Sequence, residues 1–251
     1  MAKKEGVVKL RSIAGSIAIA FVLPAAGLDA SPKPKGAFTS SFYLADCQFQ
    51  STGGNPYFLL QPGYRLVLEG EVDGETERVQ ITVLDDTEAI TVPGLGTVTT
   101  RVVEEVETVD EELVEVSRNF FAVCGGRGDV VYFGEDVDIH NPDGSITHEG
   151  EWRAGQPDAD GLAEPGIIMP GTFLLGSRYF QELADGIALD RAEHVEMDLE
   201  VTTDAGTFSD CVRIVETSPL EPKSSSTKVY CRGIGLVIDN DVELVDYGFV
   251  P

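Results

Sequence analysis

Residues 97–109 (TVTTRVVEEVETV) and 113–123 (LVEVSRNFFAV) flank the acidic turn Asp110-Glu111-Glu112. In both runs, valine alternates with glutamate or threonine, and a period of two is typical of β-strands. Antiparallel strands joined by a short turn commonly pack one face on the core and leave the other in water. We therefore predict a long β-hairpin over residues 97–123 with one solvated face.

The same period continues on both sides of this hairpin. Alternating residues occupy 64–69 and 79–84. Two further runs, 129–139 and 145–152, flank the turn sequence Asn141-Pro142-Asp143-Gly144. The remaining predicted strands are residues 178–183, 192–203, 211–217, 227–231, 235–238 and 242–247, and residues 155–170 are predicted to be irregular. Short strands at regular spacing predict an all-β antiparallel meander that forms a strongly curved sheet or an open barrel.

The first thirty residues have the pattern of a secretory signal peptide. A basic segment precedes the apolar run 13–23, and small residues follow it. The run is shorter than the roughly 20 apolar residues of a membrane span, and no second such run occurs. We predict a signal peptide at 1–30, an irregular arm at 31–56, and a single antiparallel β domain at 57–251. The expected location is secreted or periplasmic, without membrane insertion.

The composition is strongly acidic, with a formal net charge of -25. Nucleic acids and anionic membranes attract basic surfaces, so neither is an expected partner. The acidic residues are spread along the chain, which favours a solvated anionic coat. A cation-binding surface is the alternative interpretation.

The four cysteines are Cys47, Cys124, Cys211 and Cys231. An even number in an exported chain predicts two disulfides, and three pairings are open. We favour Cys211–Cys231 because their segments are predicted as consecutive strands. Cys47–Cys124 then follows by elimination.

Several short phrases of the sequence carry a resemblance to a known group of proteins. The phrases are residues 55–58 (NPYF), 62–68 (PGYRLVL), 132–136 (YFGED), 151–155 (EWRAG), 165–170 (PGIIMP), 206–211 (GTFSDC) and 229–237 (VYCRGIGLV). With them, the chain resembles a family of uncharacterised secreted bacterial β-proteins over roughly residues 55–247. The last phrase also resembles the final hairpin of open-barrel, lipoprotein-carrier-like sheets, although Cys231 departs from that pattern. The resemblance implies an exported β-protein and transfers no activity.

The segment Tyr132-Phe133-Gly134-Glu135-Asp136 is the first candidate site. It ends in two carboxylates, and its glycine permits the close approach of a backbone or a ligand. With aromatic side chains nearby, it has the composition of a sugar-stacking or cation-binding site. The residues predicted to line a ligand site are Tyr132, Phe133, Trp152 and Tyr179.

A second carboxylate group occupies residues 182–193. If it folds over the first group, several acids converge, and Ca²⁺ takes six to eight oxygen ligands. Calcium is therefore a candidate cofactor that stabilises the acidic loops, against the alternative of a solvated acidic loop. Its predicted ligands are Asp136, Glu182, Asp185, Asp190 and Glu193.

These candidates support three hypotheses of function. The first is a secreted protein that binds a small apolar or carbohydrate ligand in a concave sheet. The second is an extracellular hydrolase or lyase that uses paired carboxylates. The third is a surface or matrix structural protein with no pocket. The catalytic residues of the second hypothesis are Glu135, Asp136, Glu182 and His194.

Overall fold

The computed structural model of the protein describes residues 37–250. The predicted signal peptide lies outside the described residues, as do the first residues of the predicted arm. Within residues 37–250, no helix has both the length and the apolar character needed to cross a membrane.

The described chain is built almost entirely of antiparallel strands, with one short 3-10 turn at Leu44–Asp46. The strands are β1 (Phe49–Gln50), β2 (Gly53–Asn55), β3 (Phe58–Leu60), β4 (Tyr64–Val72), β5 (Glu75–Val92), β6 (Gly96–Val109), β7 (Glu112–Cys124), β8 (Asp129–His140), β9 (Ile146–Thr147), β10 (Trp152–Arg153), β11 (Glu164–Met169), β12 (Arg178–Phe180), β13 (Glu182–Leu183), β14 (Arg191–Thr203), β15 (Gly206–Thr217), β16 (Ser226–Cys231), β17 (Gly235–Asp239) and β18 (Val242–Phe249).

One sheet wraps around on itself to form a nearly closed barrel. Its hydrogen-bonded order is β12-β14-β15-β16-β17-β18-β4-β5-β6-β7-β8-β11-β13. The two ends of this order, β12 and β13, are consecutive in the chain and separated only by Gln181. The sheet therefore meets itself at Gln181, which we call the seam. The predicted fold class, an antiparallel meander curved into an open barrel, is confirmed.

The hairpin of β6 and β7 forms as predicted, but its glutamates divide between two environments. Glu104 pairs with Arg118 at 3.0 Å on the outer surface. Glu107 and Glu115 lie opposite each other in register, and each is only 4% exposed. The hairpin therefore has one outer face, as predicted, whereas the face that carries these two glutamates points into the barrel.

Both predicted disulfides are present. Cys47 is bonded to Cys124 across 77 residues, and Cys211 to Cys231 across 20 residues. The second pair lies directly opposite in the register of β15 and β16, as the prediction of consecutive strands implied. The first pair ties the N-terminal arm to the end of β7.

The arm is more ordered than predicted. Its strand β1 pairs with the end of β7, and β2 forms a small hairpin with β3. Phe58 in this hairpin packs edge-on against Phe121 of β7, with ring centroids 5.2 Å apart. The hairpin of β2 and β3, which begins in the arm, thus contributes Phe58 of β3 to the barrel interior. The segment 155–170 also differs from the prediction, because β11 within it pairs with β8 and continues the sheet.

Candidate functional site

A cavity occupies the barrel interior. Its unfilled space, with the mouth included, is about 870 Å³. Most of its wall is apolar, and one side is polar. The aromatic lining residues are Tyr57, Phe58, Tyr64, Phe121, Tyr132 and Tyr230. The polar lining residues are Glu105, Asn119, Gln181, Glu182, Asp190, Glu216 and Lys228.

The seam brings polar side chains to the cavity wall. The carbonyl oxygen of Asp190 accepts hydrogen bonds from the backbone N–H groups of Gln181, at 2.7 Å, and Glu182, at 3.1 Å. Gly166 of β11 passes so close that a Cβ atom there would lie 2.0 Å from the carbonyl oxygen of Gln181. Only glycine permits this approach. The side chains of Gln181, Glu182 and Asp190 line the cavity as a result.

Glu135 and Glu182 are two buried carboxyls near Tyr132 and Trp152, and, in addition to burial, the charge of Glu135 raises the pKa of Glu182. Trp152 lies opposite Glu135 in register, and its ring centroid is 5.4 Å from that of Tyr132. The Tyr132 hydroxyl donates a hydrogen bond to Asn119 Oδ1. Burial raises the pKa of Glu135 and of Glu182 well above the ordinary glutamate value, and each carboxyl raises the pKa of its neighbours further. Burial therefore favours the protonated, uncharged form of both carboxyls.

In each of these two carboxyls, one oxygen atom makes no hydrogen bond to the described residues. Glu135 Oε2 and Glu182 Oε1 have no hydrogen-bond partner within residues 37–250, and the two side chains are 3% and 2% exposed. A buried polar atom without a partner carries a desolvation penalty of about 1–3 kcal/mol. Glu182 lines the cavity, so a ligand that reaches this wall can satisfy its oxygen.

A second polar group surrounds Lys228 on β16. Its Nζ lies 3.1 Å from Glu216 Oε2 and 3.5 Å from Asp239 Oδ2. Gln181 Nε2 donates to Glu216 Oε1 at 2.7 Å, and the Ser226 hydroxyl donates to Glu216 Oε2 at 3.3 Å. Burial alone lowers the pKa of Lys228, but the two carboxylates outweigh it and raise that pKa well above its ordinary value. The lysine is therefore charged and firmly held.

The interior carries more acids than this lysine can neutralise. Burial raises the pKa of Glu105 to about 8, of Glu107 to about 10, of Asp190 to about 7, and of Asp239 to about 6. Glu105 lies opposite Ser117 and Ile81 in register, one step along the barrel from the Glu107–Glu115 pair. The interior of the barrel is thus acidic toward the Asp110-Glu111 turn and apolar at the end where Phe58 of β3 packs against Phe121.

The residues predicted as ligand walls separate into two groups. Tyr132 lines the cavity, and Trp152 packs against it. Phe133 does not line the cavity, because it is fully buried against Phe49 of the arm, with ring centroids 5.4 Å apart. Tyr179 is also absent from the lining, and its hydroxyl lies 3.0 Å from His194 Nε2. Phe133 and Tyr179 therefore lie outside the cavity lining, unlike Tyr132.

The predicted catalytic residues divide in the same way. The fold brings Glu135 and Glu182 together, although 46 residues separate them in the chain. Asp136 points outward and forms an ion pair with Arg153. His194 stacks on Phe173, donates from Nδ1 to the Leu174 carbonyl oxygen at 3.2 Å, and has a pKa lowered by burial to about 4. Asp136 and His194 are thus held in other contacts.

The predicted calcium ligands do not converge. Asp136 is paired with Arg153, and Glu193 is paired with Arg178 at 2.6 Å. Asp185 is exposed, whereas Glu182 is buried in the barrel wall. Across residues 37–250, no group of three or more His, Cys, Asp or Glu side chains has the arrangement of a metal site. The predicted convergence of these acids with Asp136 into one calcium site is therefore not found in residues 37–250.

Several lining residues were missed by the sequence reasoning, namely Glu105, Asn119, Gln181, Glu216 and Lys228. The sequence did contain one signal for Lys228. The chain has no lysine between residues 36 and 222, so a lysine in the middle of a predicted strand is unusual in this sequence. Period-two alternation does not distinguish inside from outside when both faces carry glutamates. The other four residues therefore had no signal in the sequence.

Comparison of the chain with protein-family models, with curated proteins and with solved structures finds no match. The interpretation of the site rests on its geometry.

Proposed function

We propose that this chain is an extracytoplasmic binding protein that holds a small apolar or carbohydrate ligand inside its barrel. The observation that carries the proposal is the cavity in the barrel interior, with its mostly apolar wall and aromatic lining. Small-molecule sites are concave and mostly apolar, with a few polar groups that orient the ligand. Glu182 is such a group, because its buried Oε1 has no partner in the described part of the chain.

The two disulfides support the location. Disulfides persist in oxidising compartments such as the periplasm and the extracellular space. Both bonds join segments of the barrel or its arm, so they stabilise the walls of the cavity. The predicted signal peptide agrees with export.

Occlusion of the cavity tests the proposal. Ile81 lines the cavity from β5, whereas its neighbour Thr82 faces the outer surface and pairs in register with Glu104. We expect Ile81→Trp to weaken the binding of the neutral apolar dye Nile red by about tenfold or more, because the indole fills the binding space. Thr82→Trp is the matched control and should bind the dye as the unmodified protein does.

Circular dichroism confirms that both variants fold. Equal dye binding by the Ile81→Trp variant and the unmodified protein would reject the barrel interior as the binding site. The absence of dye binding to the unmodified protein would reject an apolar ligand.

A hydrolase or lyase is the second candidate, and the Glu135–Glu182 pair is the observation that favours it. Two carboxyls in contact with different neighbours can serve as acid and base if one loses its proton on substrate binding. A panel of chromogenic glycosides and esters tests this candidate. Turnover that disappears in Glu182→Gln and persists in the exterior control Glu164→Gln supports an enzyme, and the absence of turnover across the panel counts against it. The cavity gives no support to a structural protein without a pocket.

A further inference from the structure

Most polar side chains of the cavity wall already have partners within the protein. Hydrogen bonds or ion pairs with other side chains hold Asn119, Gln181, Glu216 and Lys228. Among the described lining residues, Glu182 alone has a buried side-chain atom without a hydrogen-bond partner, its Oε1. A ligand that brings a hydrogen-bonding group to this oxygen removes a desolvation penalty that the protein otherwise carries.

The carboxyl of Glu182 is suited to a hydrogen bond and not to an ion pair. Burial raises its pKa well above the ordinary glutamate value, which favours the uncharged form. A protonated carboxyl offers one donor and one acceptor, and a hydroxyl group both donates and accepts through one atom. A hydroxyl therefore matches this carboxyl whichever oxygen carries the proton. The side chain is 2% exposed, and the backbone N–H donates to the Asp190 carbonyl oxygen at 3.1 Å, so little freedom is lost when a ligand binds.

The charges of the wall favour an uncharged ligand. Lys228, the one cationic side chain among the described lining residues, is held between Glu216 and Asp239 and is not available to an anion. Burial raises the pKa of Glu105 to about 8 and that of Asp190 to about 7. A cation would therefore meet lining carboxyls in their protonated form at pH 6.

The rest of the wall is apolar and suits an apolar ligand body. The rings of Phe121 and Tyr132 have centroids 4.7 Å apart, and Phe58 packs on Phe121. Leu66 and Val103 continue the lining. A sugar would place several hydroxyls against these side chains, where each would lose its water without gaining a hydrogen bond. One hydroxyl on an apolar body avoids this cost.

We infer that the ligand is an uncharged alcohol or phenol, a single hydroxyl group on an apolar body, with the hydroxyl against Glu182 and the body among the aromatic and aliphatic side chains. The inference rests on the proposed function and narrows it, because it names the group that is recognised and sets carbohydrates aside.

Two probes of nearly equal shape test the hydroxyl. In para-cresol a hydroxyl group takes the place of one methyl group of para-xylene. Titration calorimetry at pH 6 gives the dissociation constant of each probe, and comparing their ratio between proteins cancels the different costs of taking the probes out of water. Glu182→Met keeps the length of the side chain and removes both oxygens. We expect it to reduce the preference for para-cresol by about tenfold while para-xylene still binds.

Two further variants complete the comparison. The conservative variant Glu182→Gln keeps an acceptor oxygen and a donor at the same place without a charge, so it is expected to restore most of the preference that Glu182→Met loses. The exposed Glu164→Met on β11 is the matched control and should keep the preference. Circular dichroism confirms folding, and Glu182→Leu replaces Glu182→Met if the latter does not fold.

The outcomes separate the inference from the proposed function. An equal ratio in Glu182→Met and the unmodified protein would overturn the inference and leave Glu182 as a partner of the nearby Trp152 indole, whose N–H lowers the pKa of this carboxyl. Loss of the preference in Glu182→Gln as well, or binding of methyl glucoside in place of both probes, would also overturn it. The proposed function stands in each case if Nile red binds. Failure of all these probes, Nile red included, would overturn both.

Discussion

The substitution Glu105→Gln tests whether the acids of the barrel interior oppose folding at neutral pH. Burial raises the pKa of Glu105 from 4.5 to about 8, and the attraction of Lys228 offsets this only in part. Between pH 4.5 and pH 8, the folded chain keeps a proton on this carboxyl that the unfolded chain has lost. The folded state therefore binds more protons than the unfolded state, and its stability falls as the pH rises through this window.

The magnitude follows from the two pKa values. Each pH unit in the window is worth about 1.4 kcal/mol, so Glu105 lowers the free energy of unfolding by about 4 kcal/mol at pH 8 and hardly at all at pH 4. Glutamine has the shape of the protonated glutamate and no charge to lose. We expect Glu105→Gln to be more stable than the unmodified protein by about this amount at pH 8, and equal to it at pH 4.

Urea denaturation followed by the fluorescence of Trp152, the single tryptophan of the chain, measures both values. The matched control is Glu104→Gln, which removes the next carboxyl along β6. Glu104 lies on the outer surface beside Arg118, where an ion pair is worth about 0–1 kcal/mol. A stability difference for Glu105→Gln that is the same at pH 4 and pH 8, or a loss of stability at pH 8, would refute a proton held on Glu105.

Three further substitutions probe the barrel. Lys228→Met is expected to lower the free energy of unfolding by about 3–5 kcal/mol at pH 8, because it leaves buried carboxylates without their cation. The loss should shrink at pH 5, which is below the pKa of about 6 to which burial raises Asp239. An equal loss at pH 5 and pH 8 in urea denaturation would contradict this. Replacing Cys47 and Cys124 together by serine is expected to cost about 4–5 kcal/mol by the chain-entropy estimate for a loop of 77 residues, and a thermal midpoint within 5 °C of the unmodified protein would contradict it. Gly166→Ala places a Cβ atom against the Gln181 carbonyl oxygen and should therefore open the seam. We expect faster amide hydrogen exchange in β11 and β13, and unchanged exchange in these strands would contradict the prediction.

The alternating pattern predicted most strands of the fold because it follows the local backbone. Tyr64, Leu66 and Leu68 do face the core, and the Asn141-Pro142-Asp143-Gly144 turn ends the strand before it, as its residues favour. The closure of the sheet at Gln181 could not be predicted in this way. It depends on contacts between the first and last strands in the order of the sheet, and no local pattern reports such contacts.

The candidate site was predicted only in part, because its residues come together through contacts between distant parts of the chain. Glu135, Glu182, Tyr132 and Trp152 were identified as chemically promising, and the structure does bring them together. Phe133 was assigned to the same site by its position beside Tyr132. However, the bulge at Gly134 lets Tyr132 and Glu135 share the inner face, while Phe133 packs on the arm. A single inserted residue reverses the face of every later side chain, which alternation alone does not detect.

The acidic composition has two physical origins, and only one of them is a solvated coat. Surface acids such as Glu104 are screened by salt and partly paired, so they cost little. The acids inside the barrel are not screened, and their raised pKa values are the signature of a penalty that apolar residues of similar size would remove. A sequence that departs from good packing at one place usually does so at a functional site. Glu105, Glu182 and Asp190 line the cavity, and other buried acids such as Glu107 lie beyond its lining. Burial inside the barrel therefore separates these carboxyls from the solvated coat, and the three at the cavity wall agree with the proposed binding function.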